Sequence, residues 1–118
     1  MIPEPAEEHG IIIITLPRRF DFDSASLIEN ELKPVLGQHP RQLLFDFSKT
    51  EYISSAGVRV LLSSSRTMKE GGGTIAFSSL CHQVLYILEI AGFTKIFTIY
   101  ETRDKAIRYM KKKNQTLL

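Results

Sequence analysis

Residues 10–16 read GIIIITL, with isoleucine at four successive positions. β-Branched side chains are stiff at χ1 and favour extended backbone. Alternate side chains of a strand point to opposite faces, so this run is apolar on both. A strand of that kind must be covered on both sides, as a central strand of a largely parallel sheet is. The rest of the chain supplies partners and cover. Strand-like runs recur at 42–47 (QLLFDF), 74–78 (TIAFS) and 95–100 (KIFTIY), each separated from the last by a helix-period segment. The expectation is an α/β fold: a mostly parallel four- to five-stranded sheet with helices packed against it.

The first helix follows the loop RRFDFDS. Asp23 or Ser24 can cap it, and Ser26 with Glu29 has capping-box spacing one turn later. Ala25, Ile28, Leu32, Val35 and Leu36 fall on one face; Pro34 predicts a kink or frayed last turn, and Gly37 the end. A second helix is predicted over 56–69, with Val58, Leu61, Leu62, Ser65 and Met68 inward, after a loop SKTEYIS. Gly71–Gly73 stop it. A third is predicted over 80–91, apolar at Cys81, Val84, Leu85, Leu88 and Ala91 and ended by Gly92. Thr102 caps a fourth, with Ala106, Ile107 and Met110 inward. Residues 1–9, with Pro3, Pro5 and three glutamates, read as a loose arm or irregular edge strand, and 111–118 as a frayed tail. Asp46 is expected near a strand end or turned to solvent. Ile12, Ile14, Leu44, Phe45, Leu61, Ile75, Phe77, Leu85 and Ile96 are expected to be largely buried.

A length of 118 residues sets a single domain, 1–118, large enough to bury a core. A net charge of +2 is too mild for direct nucleic-acid or membrane-surface binding. No apolar run reaches the ~18 residues of a spanning helix. Glutamates precede IIIITL where a signal peptide carries basic residues, so a cytoplasmic location is expected. Cys81 is the only cysteine, which excludes an internal disulfide, and its apolar helical setting predicts a buried thiol. His9, His39 and His82 have no metal-ligand spacing, so no metal and no cofactor is expected.

Among candidate chemical sites, the junction EYISSAGVRVLL (51–62) stands out, with Ser54 and Ser55 at the mouth of a helix. A nucleophile elbow needs glycine two residues before its serine; Tyr52 and Ile53 stand there instead, and no histidine lies close in sequence. No catalytic residue is assigned, and the chain is not expected to be an enzyme. GGGT follows a helix and precedes a strand, the reverse of a phosphate cradle, and lacks its lysine. Arg108 and Lys111–Lys113 suit the negative end of their own helix. Asp21 and Asp23 read as capping and loop groups rather than cation ligands. One serine suffices for a helix cap. A second hydroxyl, followed by the small residues Ala56 and Gly57, leaves a surface that a partner can approach, and a phosphoryl group there would face the positive end of the helix dipole.

In this order of elements the chain resembles the STAS domain, and within it the free-standing bacterial anti-sigma factor antagonists. FDFSKTEYISSAGVRVLL carries the resemblance, supported by FDFDSA, GGGTIAF and LEIAGFTKIFTIY. The resemblance implies a partner switch. The unmodified chain binds an anti-sigma factor that is also a serine kinase and so frees a sigma factor; phosphorylation breaks the complex, and a metal-dependent serine phosphatase resets it. It implies Ser55 as the acceptor, with Ser54 a minor candidate. The partner surface would comprise Asp21, Ser54, Ala56, Gly57 and Arg59, on a monomer or weak dimer. Two positions depart from the pattern: Ser54 stands where aspartate is common, and Ala56 where serine or threonine is. The alternative is a STAS module of another complex, a stressosome-type scaffold or a lipid or anion transport component. Ser55 would then be a contact residue, and Ser63, Ser64 and Ser65 further candidate modification sites on a helix surface.

Overall fold

The computed structural model describes residues 4–116; residues 1–3 of the expected arm and 117–118 of the expected tail lie outside the described residues. The order is β1 (Ala6–Glu8), β2 (Ile11–Thr15), β3 (Arg19–Phe20), α1 (Phe22–Gly37), β4 (Gln42–Asp46), β5 (Tyr52–Ile53), α2 (Ser55–Glu70), β6 (Thr74–Ser78), α3 (His82–Ile90), a 3₁₀ turn (Phe93–Lys95), β7 (Ile99–Tyr100) and α4 (Arg103–Thr116). The main sheet runs β1-β2-β4-β6-β7, with β1 antiparallel to β2 and the other pairs parallel. The mostly parallel, five-stranded α/β architecture expected from the sequence is the one observed.

Period-2 alternation divides the core in two. Ile11 and Ile13 of β2, Leu44 of β4 and Ala76 of β6 face α4, where they bury Ala106 and Met110. Ile14, Leu43, Phe45 and Phe77 face the other way, onto Ala25, Ile28 and Leu32 of α1, Val58 and Leu61 of α2, and Val84 and Leu88 of α3. This is the two-sided cover that the isoleucine run demands. The exposed edge strand β1 carries Glu7 and Glu8, charges that discourage pairing with another chain. Asp46 ends β4 on the α4 side. It is buried but satisfied: its carboxylate accepts from Ser48 N (2.9 Å) and from the Arg103 guanidinium of α4 (3.3 Å). The same guanidinium reaches Glu8 of β1 at 3.3 Å, so one side chain ties three elements together.

Several local expectations are corrected. Of the expected core, Ile14, Leu44, Phe45, Leu61 and Phe77 are buried and Ile12, Ile75 and Leu85 half-buried, but Ile96 is 60% exposed. The fourth strand is only Ile99–Tyr100. Gly92, at φ +80°, reverses the chain after α3 and the 3₁₀ turn follows. That turn puts Phe93 and Phe97 on one side (ring centroids 5.9 Å apart), and Phe97 packs on Phe77 at 4.5 Å, so Ile96 is turned out. Helix α1 is capped by Asp21 rather than Asp23, Ser24 or Ser26, and it runs unbroken past Pro34. It ends at Gly37 as expected, and the left-handed residue that follows is His39 (φ +53°). Cys81 is exposed, because α3 starts one residue later; its thiol lies 3.5 Å from the Thr50 carbonyl oxygen. Helix α4 continues through Lys111 to Thr116, where the pattern predicts fraying. Ser63 is half-buried and donates to Val60 O, Ser64 is buried, and the Ser65 hydroxyl oxygen is buried too, so this triplet is not a free surface.

Candidate functional site

The two loops read as irregular form the second sheet. Arg19 and Phe20 of β3 pair in parallel with Tyr52 and Ile53 of β5. The segment between β4 and β5 is pinned from below: Thr50 is buried, its hydroxyl donates to Pro17 O at 2.9 Å, and Glu51 N donates to Arg18 O at 2.8 Å. An exposed Arg18–Glu51 ion pair closes the outside. The Arg19 guanidinium lies 4.7 Å from the centre of the Tyr52 ring. Two short strands thus deliver Ser54 to the mouth of α2.

There the two serines divide. Ser54 has extended backbone (φ −98°, ψ 174°) and is the N-cap: its hydroxyl accepts from Gly57 N at 3.3 Å. Its own N–H donates to Phe20 O at 2.9 Å. Ser55 is the first helical residue and is exposed. No acidic residue stands in this first turn, so the unpaired N–H groups and the positive end of the helix dipole are not neutralised by a carboxylate of α2. Arg59, one turn on, is exposed on the same helix.

Gly57 is buried, and the reason is steric. A β-carbon there would lie 2.6 Å from the Phe20 carbonyl oxygen and 2.9 Å from Ile53 Cγ1. Glycine is needed here so that α2 can dock on β3 and β5. Asp21 lies one residue beyond Phe20 and caps α1. Its carboxylate accepts from Ser24 N (3.2 Å), its N–H donates to Ser24 Oγ (3.0 Å), and Arg19 approaches at 3.5 Å. The backbone hydrogen bond from Ser24 is the main reason its pKa falls below the ordinary 3.8; burial opposes it, and Ser24 and Arg19 add to it.

Beside Ser55 lies an apolar groove of 420 Å³, between α2 and the end of α3. Ile53, Ser54, Ser55, Val58, Arg59 and Leu62 form one wall, and Ile87, Ala91 and Phe93 the other, with no acidic residue among the described residues that line it. The second wall is the part the sequence reading missed. A signal existed: α3 (HQVLYILEI) carries more apolar residues than one buried stripe needs. Tyr86 (63%) and Ile90 (68%) are accordingly exposed. The geometry therefore brings together Ser54, Ser55 and Arg59 around the groove, with Ala56 half-buried in the same turn. It uses Gly57 and Asp21 as structural supports beneath. Among the described residues, no group of three or more His, Cys, Asp or Glu side chains is arranged to hold a metal ion. None of their helices is long and apolar enough to cross a membrane.

The hydroxyls at the mouth of α2 thus stand beside an apolar groove, at one end of a sheet covered by helices on both faces, and are reached through a short accessory sheet. The STAS domain profile matches residues 3–106, and the chain belongs to that family. A Bordetella bronchiseptica protein, BtrV, whose name carries the designation anti-sigma factor antagonist, is 30% identical over 97 residues, spanning 82% of this chain and 84% of that one. The fold is shared with a Thermotoga maritima protein described as an anti-sigma factor antagonist (TM-score 0.84, 20% identity, 92% of both chains). It is shared also with the Bacillus cell fate determinant SpoIIAA in its phosphorylated form (TM-score 0.71, 15% identity, 90% of this chain and 96% of that one).

Proposed function

We propose that the protein is an anti-sigma factor antagonist that works by partner switching, a binding protein and not an enzyme, acting as a single cytoplasmic domain. The observation that carries this reading is the division of labour at α2: Ser54 is occupied as the cap, while Ser55 is exposed beside an apolar groove. In the unmodified state the groove and the first turn of α2 dock an anti-sigma factor that is also a serine kinase, and the sigma factor is released. The kinase transfers a phosphoryl group to the Ser55 hydroxyl, adding about −1.5 to −2 charge at neutral pH. Within the free chain that charge is tolerated, because it meets the helix dipole and can reach Arg59 four residues on. Within the complex it is buried against an apolar wall. An unpaired charge at such an interface costs about 2–5 kcal/mol, which weakens binding about thirtyfold to several thousandfold. No change of fold is required. A metal-dependent serine phosphatase restores the hydroxyl.

The test pairs the chain with an anti-sigma factor serine kinase and ATP, and maps the product by mass spectrometry. Phosphate is expected on Ser55 and is expected to be absent in Ser55→Ala, which still binds the kinase. Ser55→Asp should bind more weakly than the parent. Phosphate on Ser54 or elsewhere, or full-strength binding by Ser55→Asp, would sink the reading.

A further inference from the structure

A second cavity, of 430 Å³, lies away from Ser55, where the fourth strand was expected to run. Because the 3₁₀ turn takes up Phe93–Lys95, β7 pairs with β6 only at Phe77 and Ser78. The space beside Thr74, Ile75 and Ala76 is left open, and it is lined rather than filled by Ile96, Phe97 and Thr98. Its apolar surface comes from Leu62, Ile75, Ile96 and Met110. Arg66 and Lys69 of α2 and Lys113 of α4 supply three cations, and among the described residues no carboxylate lines it.

The polar groups point the same way. Ser65 lines the cavity, and its hydroxyl oxygen is buried with no hydrogen-bond partner. An unpartnered buried hydroxyl is costly, and a ligand's acceptor removes that cost. The volume falls within the ~300–1,000 Å³ of small-molecule pockets.

We propose that this gap in the sheet binds an amphipathic monoanion of the fatty-acid class. The apolar chain lies against Ile75, Ile96 and Met110, and the acidic head meets Arg66, Lys69 and Lys113, with the Ser65 hydroxyl as an inner donor. The site is distinct from the Ser55 surface, although Leu62 of α2 lines both. It gives the domain a means of sensing a metabolite or a membrane-derived acid.

Decanoate, below its micellar concentration, is the probe, read by calorimetry and by amide chemical shifts. Saturable one-to-one binding is expected, with shifts at Ser65, Ile75 and Thr98 and none at Ser54–Arg59. Decanol, which lacks the charge, should bind about tenfold more weakly. The double substitution Arg66→Gln, Lys69→Gln lies on exposed positions that leave the core intact; it should weaken decanoate about tenfold and leave decanol unchanged. Ser65→Ala should weaken decanoate while the melting temperature stays the same or rises. Ser55→Asp should bind decanoate like the parent, so failure at one site is distinguishable from failure at the other. Sedimentation with phosphatidylglycerol vesicles, competed by decanoate, would place the source of the acid in a membrane; binding of free decanoate alone would make it a soluble metabolite. The proposal is overturned by equal affinity for decanoate and decanol, by shifts confined to the Ser55 groove, by vesicle binding that decanoate does not compete, or by a sheet-edge dimer that fills the gap.

Discussion

Replacing Gly57 by alanine asks whether the glycine at the mouth of α2 serves the fold or the partner. On propensity alone the change should help, since alanine exceeds glycine by about 1 kcal/mol inside a helix. Packing opposes it. The new methyl would sit 2.6 Å from Phe20 O and 2.9 Å from Ile53 Cγ1, where ordinary contacts begin at 3.4 Å. Neither neighbour is free to retreat. The Phe20 carbonyl is held by Ser54 N at 2.9 Å, and Phe20 and Ile53 are both buried. Helix α2 must therefore lift from β3 by several tenths of an ångström. Overpacking costs about 1–3 kcal/mol; with two contacts inside 3.0 Å the upper part of that range, about 2–3 kcal/mol, applies, so after the propensity gain the net loss is about 1–2 kcal/mol. At about 2.1 cal/mol/K per residue, the unfolding entropy of a chain this long converts that to a melting temperature roughly 4–8 °C lower. Thermal denaturation by circular dichroism measures it. An unchanged or raised melting temperature would refute the packing argument. If binding were lost at the same time, Gly57 would return to the role of partner contact expected from the sequence.

Other substitutions probe neighbouring parts of the argument. Ser54→Ala removes the cap of α2 and should cost about 1 kcal/mol, whereas Ser55→Ala should stay within about 0.5 kcal/mol of the parent; equal losses in denaturant titrations would contradict the division between them. Arg103→Ala leaves the buried Asp46 carboxylate without its charged donor and should cost about 1–3 kcal/mol, while Arg103→Lys should recover only part; an unchanged urea midpoint would show that the Glu8–Arg103–Asp46 link contributes nothing. The lowered pKa of Asp21 makes a contribution to stability that is fully present above the unfolded value of 3.8 and is lost as pH falls through the lower folded value. Asp21→Asn should therefore flatten stability against pH below 3.8, and an acid limb identical to the parent's would remove Asp21 from the account.

The parts of this molecule legible in the sequence are those fixed by short-range pattern. The isoleucine run specified a covered central strand because its period-2 alternation leaves no polar face. The helices were visible in their apolar stripes, and the serine pair in its position before α2. Features that depend on two distant segments were not visible. Nothing local in RRFDF or SKTEY predicts a parallel pair of two-residue strands, because each is stabilised by the other across more than thirty residues of chain. KIFTIY is rich in β-branched and aromatic residues like a strand, yet the contact between Phe77 and Phe97 outweighs that local preference and leaves Ile96 exposed. Gly57 is a similar case. Its neighbours in sequence allow alanine, and only the arrival of Phe20 forbids it.

The accessory pair β3–β5 also explains why two serines stand where one would complete the helix. A cap must have extended backbone and turn its hydroxyl inward to the N–H groups it serves. Ser54 meets both conditions because its N–H is tied to Phe20 O, the last carbonyl that β3 offers, so its conformation is fixed by the accessory sheet. Once that hydroxyl is committed to Gly57, a reversible modification on it would release the cap and unravel the first turn. A hydroxyl one residue later is different. Ser55 shares the dipole of α2 but carries none of its backbone bonds through its side chain, and its exposure leaves room for a tetrahedral group. On the proposed reading, charge would be added and removed there while β3, β5 and α2 stay docked. The same rigid turn would then present either the bare hydroxyl or a phosphoryl group, and a partner closing over the groove formed with Ile87 and Phe93 would distinguish the two by desolvation.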